Sequence, residues 1–374
     1  MVIHPDGVYF GLPDDEYHAD PALGSGDHKN LLFNPVQAQW KRLDALRLAL
    51  GMDSPKPKDD NGKEEETTFQ AFGKALHVLV LEGREKFDSL YAPSPDKPEG
   101  MLVTKDQLRE ALGGECDLPK SAALADHIRL AKLHKIGPLL ADWEAMREEA
   151  LTRVGEDGET RKLTEISKRW ASTFDLTDRL LDTPRESRGG QSIRQKALVN
   201  GQPEVSVIWT DDTGLRLKAR FDYLRIPATV DLKTFSMRDG REYVDNFASS
   251  IHTFAYDVQA AHYQDARAQL GRLDRFNCPD DTWLDRVIAT TKPAWVWLTV
   301  QTGGFPEIDT MQFPDQIVFQ AAWQQVLEAR KTHREYVAKF GEDQPWVADR
   351  PNIVLDDVCF NSSITGRGQP KWRP

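Results

Sequence analysis

Residues 204–233 decide the fold and read EVSVIWTDDTGLRLKARFDYLRIPATVDLK. The first part, residues 204–209, is apolar and β-branched, and Asp211-Asp212-Thr213-Gly214 is a turn sequence typical of a hairpin. Residues 215–226 then alternate between apolar and charged side chains, and residues 229–233 form a short run that ends in charge. The stretch therefore predicts three consecutive short strands.

Side chains of the middle strand divide between two faces, because successive residues of a strand point to opposite sides of the sheet. On one face we expect the apolar residues Leu215, Leu217, Ala219, Phe221 and Tyr223. On the other we expect the charged residues Arg216, Lys218, Arg220 and Asp222. Because the three basic residues share the Asp222 face, they are candidates for contacts with a DNA backbone.

Asp231 and Lys233 share one face of the third strand, so two carboxylates and a lysine are expected at the ends of adjacent strands. Oxygen ligands of this kind suit Mg²⁺, and a neighbouring lysine can hold an attacking water or stabilise charge on a phosphate. Taken alone, Asp-x-Lys is more typical of a solvated hairpin with an incidental ion pair, because such triplets are common on surfaces. Asp222 on the basic face and Glu204 at the start of the first strand favour the metal site.

Phe221-Asp222 followed by Asp231-Leu232-Lys233 resembles the motif of the PD-(D/E)xK nuclease superfamily, with phenylalanine in place of the proline. Residues 72–82 resemble the Gly-x-x-x-His helix of the RecB and RecE branches, with Gly73 and His77 in the motif positions. Residues 258–263 resemble the Gln-x-x-x-Tyr helix of the same branches, and residues 15–21 resemble the N-terminal segment of the RecE (exonuclease VIII) nuclease domain.

This resemblance implies roles for individual side chains. Metal ligands would be His77, Asp222, Asp231 and the Leu232 carbonyl, with Glu204 as a further candidate for one or two ion sites. Lys233 would position or activate the attacking water. Gln259 and Tyr263 would position the substrate.

The helix predicted after Lys233 has two stripes at helical spacing. A buried apolar stripe is expected at Val244, Phe247, Ile251, Phe254 and Val258. A polar and aromatic stripe is expected at His252, Tyr256, Gln259 and Tyr263, in which His252 and Tyr256 have no assigned role. Near the N-terminus, Ser25 is a plausible helix N-cap, and Ser25 and Lys29 are weaker candidates for DNA contacts.

Composition is that of a soluble globular protein, with 374 residues, 40% hydrophobic and 29% charged. No apolar run approaches the roughly 20 residues of a membrane span, and the N-terminus lacks a signal-peptide pattern. Cys116, Cys278 and Cys359 are isolated, which favours a reducing cytoplasm and argues against the four-cysteine iron–sulfur cluster of some relatives. We therefore expect a cytoplasmic protein without a membrane partner.

Net charge is −11, from 48 basic and 59 acidic residues, although nucleic-acid binding is largely electrostatic. Either the protein is an ordinary acidic one, or its positive charge is concentrated in a groove. Residues 185–200 favour the second interpretation modestly, because Arg185, Arg188, Arg194 and Lys196 are offset by Glu186 alone. We expect residues 184–203 to form a flexible basic loop.

We predict an α/β fold with a PD-(D/E)xK nuclease-like core, in which a mixed central β-sheet is flanked by helices. One nuclease domain would span residues 1–374. Its parts are an N-terminal cap (1–50), a flexible linker (51–66), the His-motif helix (67–100), a helical insertion and basic loop (101–203), the catalytic core (204–342) and a C-terminal tail (343–374).

The RecE resemblance implies a Mg²⁺-dependent exonuclease, with Mn²⁺ able to substitute, that digests linear double-stranded DNA from its ends. It further implies phage or prophage origin, a ring-shaped homo-oligomer and a single-strand annealing partner in recombination. Two alternatives remain open from the sequence. One is a RecB-like nuclease on single-stranded or branched DNA, and the other is a non-catalytic DNA-end-binding protein.

Overall fold

The structure is a computed structural model that describes residues 3–49, 68–155, 158–237, 240–302, 305–313 and 316–347. Within these ranges the strands are β1 Gly7–Tyr9, β2 Tyr91–Pro93, β3 Thr152–Val154, β4 Thr160–Lys162, β5 Thr164–Ile166, β6 Gly201–Thr210, β7 Arg216–Arg225, β8 Ala228–Ser236, β9 Asp274–Phe276, β10 Ala294–Thr302 and β11 Ile308–Gln312. The predicted linker, residues 51–66, and most of the predicted tail lie outside the described residues.

Helices occupy most of the remaining described chain. They are α1 Asp14–Ala19, α2 Ser25–Phe33, α3 Pro35–Ala49, α4 Thr68–His77, α5 Arg84–Leu90, α6 Lys105–Leu112, α7 Leu124–Leu133, α8 Leu140–Ala150, α9 Lys168–Asp182, α10 Ile193–Ala197, α11 Tyr243–Phe254, α12 Tyr256–Gln269, α13 Asp281–Ile288 and α14 Gln316–Phe340. A π-helical turn, Val78–Glu82, continues α4. Among the described helices, none is both long and apolar enough to cross a membrane.

The central sheet has seven strands in the order β11-β10-β8-β7-β6-β1-β9. In the middle of the sheet, β7 is antiparallel to both β6 and β8, whereas β8 and β10 run parallel. Helices pack against both faces of the sheet. The predicted mixed α/β architecture is therefore confirmed.

Two apolar clusters lie on opposite faces of the sheet. One contains Leu217, Ala219 and Phe221 of β7 with residues of α12 and α14, and the other contains Val230 and Leu232 of β8 with residues of α4, α9 and α10. Burial of these side chains removes apolar area from water on both faces of the sheet. Each Å² of apolar area buried stabilises the fold by roughly 25 cal/mol. The two clusters hold helices from both ends of the chain against the same three strands.

The alternation of β7 changes phase at Asp222. Phe221 belongs to the first cluster, but Tyr223, predicted on the same face, packs in the second, and Leu224 returns to the first. At this point the ladder to β6 is interrupted, because Pro203 pairs with Tyr223 and Val205 with Phe221 while no pair joins the residues between them. The expectation for Tyr223 is wrong because period two holds only along an uninterrupted ladder.

β7 and β8 pair over only three residues and then separate. The paired residues are Tyr223 with Val230, Leu224 with Thr229, and Arg225 with Ala228. Beyond the separation, β7 is bonded instead to Leu23, whose N–H donates to Arg216 O at 3.0 Å and whose carbonyl accepts from Lys218 N at 2.9 Å. The two strands thus form a fork that opens at Asp222 and Asp231.

The long helix predicted after Lys233 is two helices. Ala255 separates α11 from α12 with left-handed backbone angles, φ 49° and ψ 50°. Phe247 and Val258 are fully buried as expected, but Val244 and Phe254 are 62% and 54% exposed. The buried stripe is wrong at these two positions, which lie in the first turn and at the last residue of α11.

Residues 184–203 are anchored to the protein, which corrects the expectation of a flexible basic loop. Arg185 donates to Ile308 O at 2.9 Å, Arg188 donates to Thr310 Oγ1 at 2.9 Å, and Arg188 also pairs with Asp309. These arginines therefore hold the segment against β11.

A buried polar cluster of His28, His262 and Arg330 joins α2, α12 and α14. The Nδ1 of His28 lies 2.8 Å from Gly24 O, and the Nε2 of His262 lies 2.9 Å from Lys218 O. Carbonyls only accept, so both nitrogens carry hydrogen, and the opposite nitrogens accept from the Arg330 guanidinium at 3.3 Å. Both rings must therefore be neutral.

This cluster predicts acid sensitivity. Burial and Arg330 lower the pKa of His28 from 6.5 to about 3, and burial and His28 hold the pKa of His262 well below its usual value. Below about pH 6.5, the histidines of the unfolded chain bind protons that the buried rings of the native protein do not. We expect the free energy of unfolding to fall as pH drops from about 6.5 towards 3, by up to about 1.4 kcal/mol per pH unit for each histidine.

Urea unfolding at a series of pH values measures this slope. The conversion of His262 to glutamine, His262→Gln, retains a donor for Lys218 O and should reduce the slope. His252 is exposed on α11, so His252→Gln is the matched control and should leave the slope unchanged. Equal slopes in the wild type and His262→Gln would contradict the assignment.

Candidate active site

Asp222 lies at the opening of the fork, and its carboxylate bridges the two strands. The Leu232 backbone N–H, which has no strand partner on β7, donates to Asp222 Oδ2 at 2.7 Å. The side chain thus replaces the ladder hydrogen bond that the separated strands no longer make. This bond fixes the carboxylate beside the Leu232 peptide, where the resemblance places a metal ligand.

His77 approaches the same carboxylate from α4. Its Nδ1 lies 3.9 Å from Asp222 Oδ2, and a hydrogen bond joins the ring to the Leu232 backbone. Burial and the nearby Lys233 charge lower the pKa of His77 to about 4, so the ring is neutral at pH 7 and free to donate a lone pair. The π-helical turn begins at the next residue, Val78, and such turns often occur at functional sites.

Glu204 occupies the position opposite Asp222 in the interrupted ladder. Its φ of 52° is left-handed, a conformation that costs a non-glycine residue roughly 1–2 kcal/mol. One ligand atom each from Glu204, Asp222 and His77 lies within 4.8 Å of the others. The strained backbone therefore contributes a third ligand to a compact donor set.

Asp231 and Lys233 form a buried ion pair in the middle of β8. Lys233 Nζ lies 2.6 Å from Asp231 Oδ2, and Asp231 is 1% exposed. The other oxygen, Asp231 Oδ1, accepts from Gln259 Nε2 at 3.1 Å, and Gln259 Oε1 accepts from Lys29 Nζ at 3.2 Å. The expectation that Asp231 and Lys233 lie at a strand end is wrong, because β8 continues to Ser236.

The carboxyl groups of the site repel one another. Burial and the Asp222 charge raise the pKa of Glu204 to about 8. Burial raises the pKa of Asp222, and burial with the Asp222 charge raises that of Asp231 to about 6 against the opposing effect of Lys233. A cluster of oxygen and imidazole donors with this excess of negative charge fits a divalent cation, which would stabilise the ionised forms.

Tyr263 of α12 lies near the carboxyl groups of Asp222 and Asp231. The Tyr263 ring packs edge-on against Phe221 at 5.7 Å, and burial raises the pKa of its hydroxyl to about 12. A side-chain hydrogen bond joins Tyr263 to Ser25, which is the first residue of α2 rather than its N-cap. Tyr263 therefore connects the carboxylates to the N-terminal segment.

Arg216, Lys218 and Arg220 bind the N-terminal segment, not open solvent. Lys218 Nζ is buried and donates to the carbonyls of Tyr17 and Asp20 at 2.9 and 2.6 Å. Arg216 donates to Asp20 Oδ2 at 3.1 Å, and Arg220 donates to Ser206 Oγ and to Asp14 at 2.8 and 3.1 Å. The structure therefore contradicts the DNA-backbone role of Lys218 and assigns the other two to internal ion pairs.

Tyr256 contacts two lysines of the site, a position that its spacing in the sequence did not indicate. The nitrogen of Lys233 lies 5.0 Å from the centroid of the Tyr256 ring, and that of Lys29 lies 5.1 Å away. The quadrupole of the ring attracts both cations. Neither contact could be predicted, because Lys29, Lys233 and Tyr256 belong to three elements whose packing the sequence pattern leaves open.

The chain is similar to one family model and to a solved structure. Residues 156–276 match the family model of the PDDEXK-like domain of unknown function (DUF3799). Among solved structures, the chain is similar to a crystal structure of a protein named "putative exonuclease" from Eubacterium rectale, with 14% identity, 96% of this chain and 100% of that chain covered, and a TM-score of 0.45. The curated proteins include no match.

The family match covers most of the candidate site. Glu204, Asp222, Asp231, Lys233 and Gln259 all lie within the matched residues. Their arrangement in a strand fork agrees with the motif identified in the sequence. The matched part of the chain, residues 156–276, is therefore similar to a PDDEXK-like domain.

Proposed function

We propose that this protein is a divalent-metal-dependent deoxyribonuclease that digests linear duplex DNA from its ends. The observation that carries the proposal is the fork itself. It brings together His77, Glu204 and Asp222 as a donor set and places the Asp231–Lys233 ion pair beside it. Metal-assisted cleavage of a phosphodiester uses such a combination of metal ligands and a fixed positive charge.

Mg²⁺ is the proposed cofactor, and Mn²⁺ would substitute. His77, Glu204 and Asp222 would hold it, and Asp231 with the Leu232 carbonyl would complete its ligands or hold a second ion. When bound, the cation lowers the pKa of a coordinated water and neutralises charge on the phosphate. The carboxylates and the Leu232 carbonyl are suitable ligands for either metal, whereas an imidazole is more typical of transition-metal sites.

Lys233 would act as a fixed cation. Asp231 and Asp222 raise the pKa of Lys233 above its usual value, so the ammonium group stays protonated at neutral pH. A protonated amine cannot accept a proton, and the role that fits it is donation to the attacking water or to a phosphate oxygen. Gln259, held between Lys29 and Asp231, would keep the carboxylate of the pair oriented.

The RecE resemblance supports the finer parts of the proposal. It favours digestion from DNA ends, assembly as a ring-shaped homo-oligomer and cooperation with a single-strand annealing protein in recombination, in a phage or prophage setting. We infer Tyr263 to be a substrate-positioning group, because it lies between the carboxylates and the N-terminal segment. The location proposed for all these activities is the cytoplasm.

Substitution of the site residues tests the assignment. Asp222→Asn, Asp231→Asn and Lys233→Met each preserve side-chain size, and we expect each to lower the cleavage rate at least about 100-fold, because the lost group acts on developing charge. The control is Lys292→Met, which removes an exposed lysine just before β10 and should leave the rate unchanged. Circular dichroism checks the fold, and near-normal cleavage by Lys233→Met would refute its role.

Binding of Mg²⁺ can be measured without cleavage. Because only the native state assembles the donor set, free Mg²⁺ at ten times its Kd should stabilise the wild type by about 1.4 kcal/mol. In Glu204→Gln and Asp222→Asn the Mg²⁺-dependent rise in Tm should be reduced or lost. Glu307→Gln, in the loop before β11, is the control and should show the wild-type rise. Equal shifts in all variants would place the metal elsewhere.

The substrate is tested with linear and closed-circular duplex DNA, each with Mg²⁺ and with EDTA. We expect loss of the linear form alone, and only with Mg²⁺, because an exonuclease needs an end. Cleavage of both forms would indicate an endonuclease. Binding of DNA without cleavage of either form would instead support the non-catalytic alternative.

A further inference from the structure

An exposed phenylalanine lies at the break between α11 and α12. Phe254 ends α11, and the left-handed Ala255 follows it. In an unbroken helix Phe254 would share a face with Val258, which is fully buried. The break turns the Phe254 ring outward, so that it is 54% exposed. A strained residue thus holds a large aromatic side chain in solvent.

A short series of contacts connects this ring to the lysines of the site. The rings of Phe254 and Tyr256 are stacked, with centroids 5.6 Å apart and an interplanar angle of 27°. Lys233 Nζ lies 5.0 Å from the Tyr256 centroid. These two distances limit the separation of the Phe254 ring from Lys233 Nζ to about 11 Å, which corresponds to about three nucleotides of a strand at about 3.4 Å each.

The surroundings of Phe254 are polar. Its exposed neighbours on α11 are His252 and Thr253, and Asp257 follows on α12. Recognition of another protein usually requires a contiguous apolar patch, which a lone ring does not provide. An aromatic face next to fixed positive charge is instead the arrangement with which proteins bind single-stranded nucleic acid, because bases stack on the ring while cations meet the phosphates.

We propose that Phe254 is a base-stacking platform for the DNA strand bound in the fork. The inference rests on the proposed function and adds a binding subsite to it. The ligand is a nucleobase within about three nucleotides of the scissile phosphate. Stacking needs only the flat face of a base, so the subsite accepts all four bases and holds the strand in position without reading its sequence.

Abasic substrates test the proposal. Short blunt duplexes carry one abasic nucleotide at successive positions next to the cleaved end, and kcat/KM is measured with Mg²⁺ for the wild type and Phe254→Ala. We expect one abasic position to lower the wild-type kcat/KM by about tenfold, which is the size of one base–aromatic stack. On intact DNA, the kcat/KM of Phe254→Ala should be about tenfold lower than that of the wild type. On that abasic substrate, Phe254→Ala and the wild type should have the same kcat/KM.

Two further variants separate stacking from packing. Phe254→Trp retains a stacking face and should restore cleavage, whereas Phe254→Leu retains apolar volume without a ring and should not. Leu133→Ala removes another exposed apolar side chain, 75% exposed on α7, and should behave as wild type. Normal cleavage by Phe254→Ala would refute the platform. The platform would also be refuted if, at every abasic position, the variant and the abasic nucleotide each lowered kcat/KM by their full separate factors.

A binding assay distinguishes failure of this inference from failure of the proposed function. With EDTA present, an oligonucleotide carrying 2-aminopurine at the chosen position should lose fluorescence on binding to the wild type, because stacking quenches that base. Binding to Phe254→Ala should leave the fluorescence high. Quenching in EDTA, combined with no cleavage in Mg²⁺, would overturn the nuclease proposal and leave the platform intact. Normal cleavage in Mg²⁺, combined with no quenching in EDTA, would overturn the platform alone.

Discussion

The separation of β7 from β8 is the constraint on which the rest of the structure depends. Antiparallel strands normally satisfy each other's backbone groups, so a fork leaves donors and acceptors that need other partners. Here the Asp222 carboxylate accepts from Leu232 N on one strand, and Leu23 bonds to the other strand on both sides of Leu217. The N-terminal segment and the acidic side chain together keep the fork open.

The open fork gives access from both layers of the fold. His77 reaches it from the helices on one face, and Gln259 and Lys29 reach it from the helices on the other. The open fork is energetically unfavourable in two respects. Glu204 has a strained, left-handed backbone, and the pKa values of three buried carboxyl groups are raised. Such costs persist where surrounding structure enforces them, which is typical of sites adapted to bind a charged ligand.

Local patterns predicted much of this arrangement from the sequence. Alternation and the Asp211–Gly214 turn gave the three strands, and the spacing of Asp231 and Lys233 placed them on one face, where they form an ion pair. The phase change at Asp222 was not predictable, because it depends on the backbone of Glu204 on another strand. The partners of the basic residues of β7 were not predictable, because they lie about two hundred positions earlier, in a segment with no periodic signal.

The placement of the basic residues also bears on how an acidic chain would act on DNA under the proposed function. The arginines of residues 185–194 and of β7 are committed to internal partners, so they do not form a broad positive surface. Positive charge is instead kept at the fork by Lys29 and Lys233, which flank Tyr256. Few phosphate contacts release few counterions. Under the proposed function, affinity for DNA should therefore come mainly from the metal, the two lysines and base stacking, which act within about three nucleotides of one another on the strand.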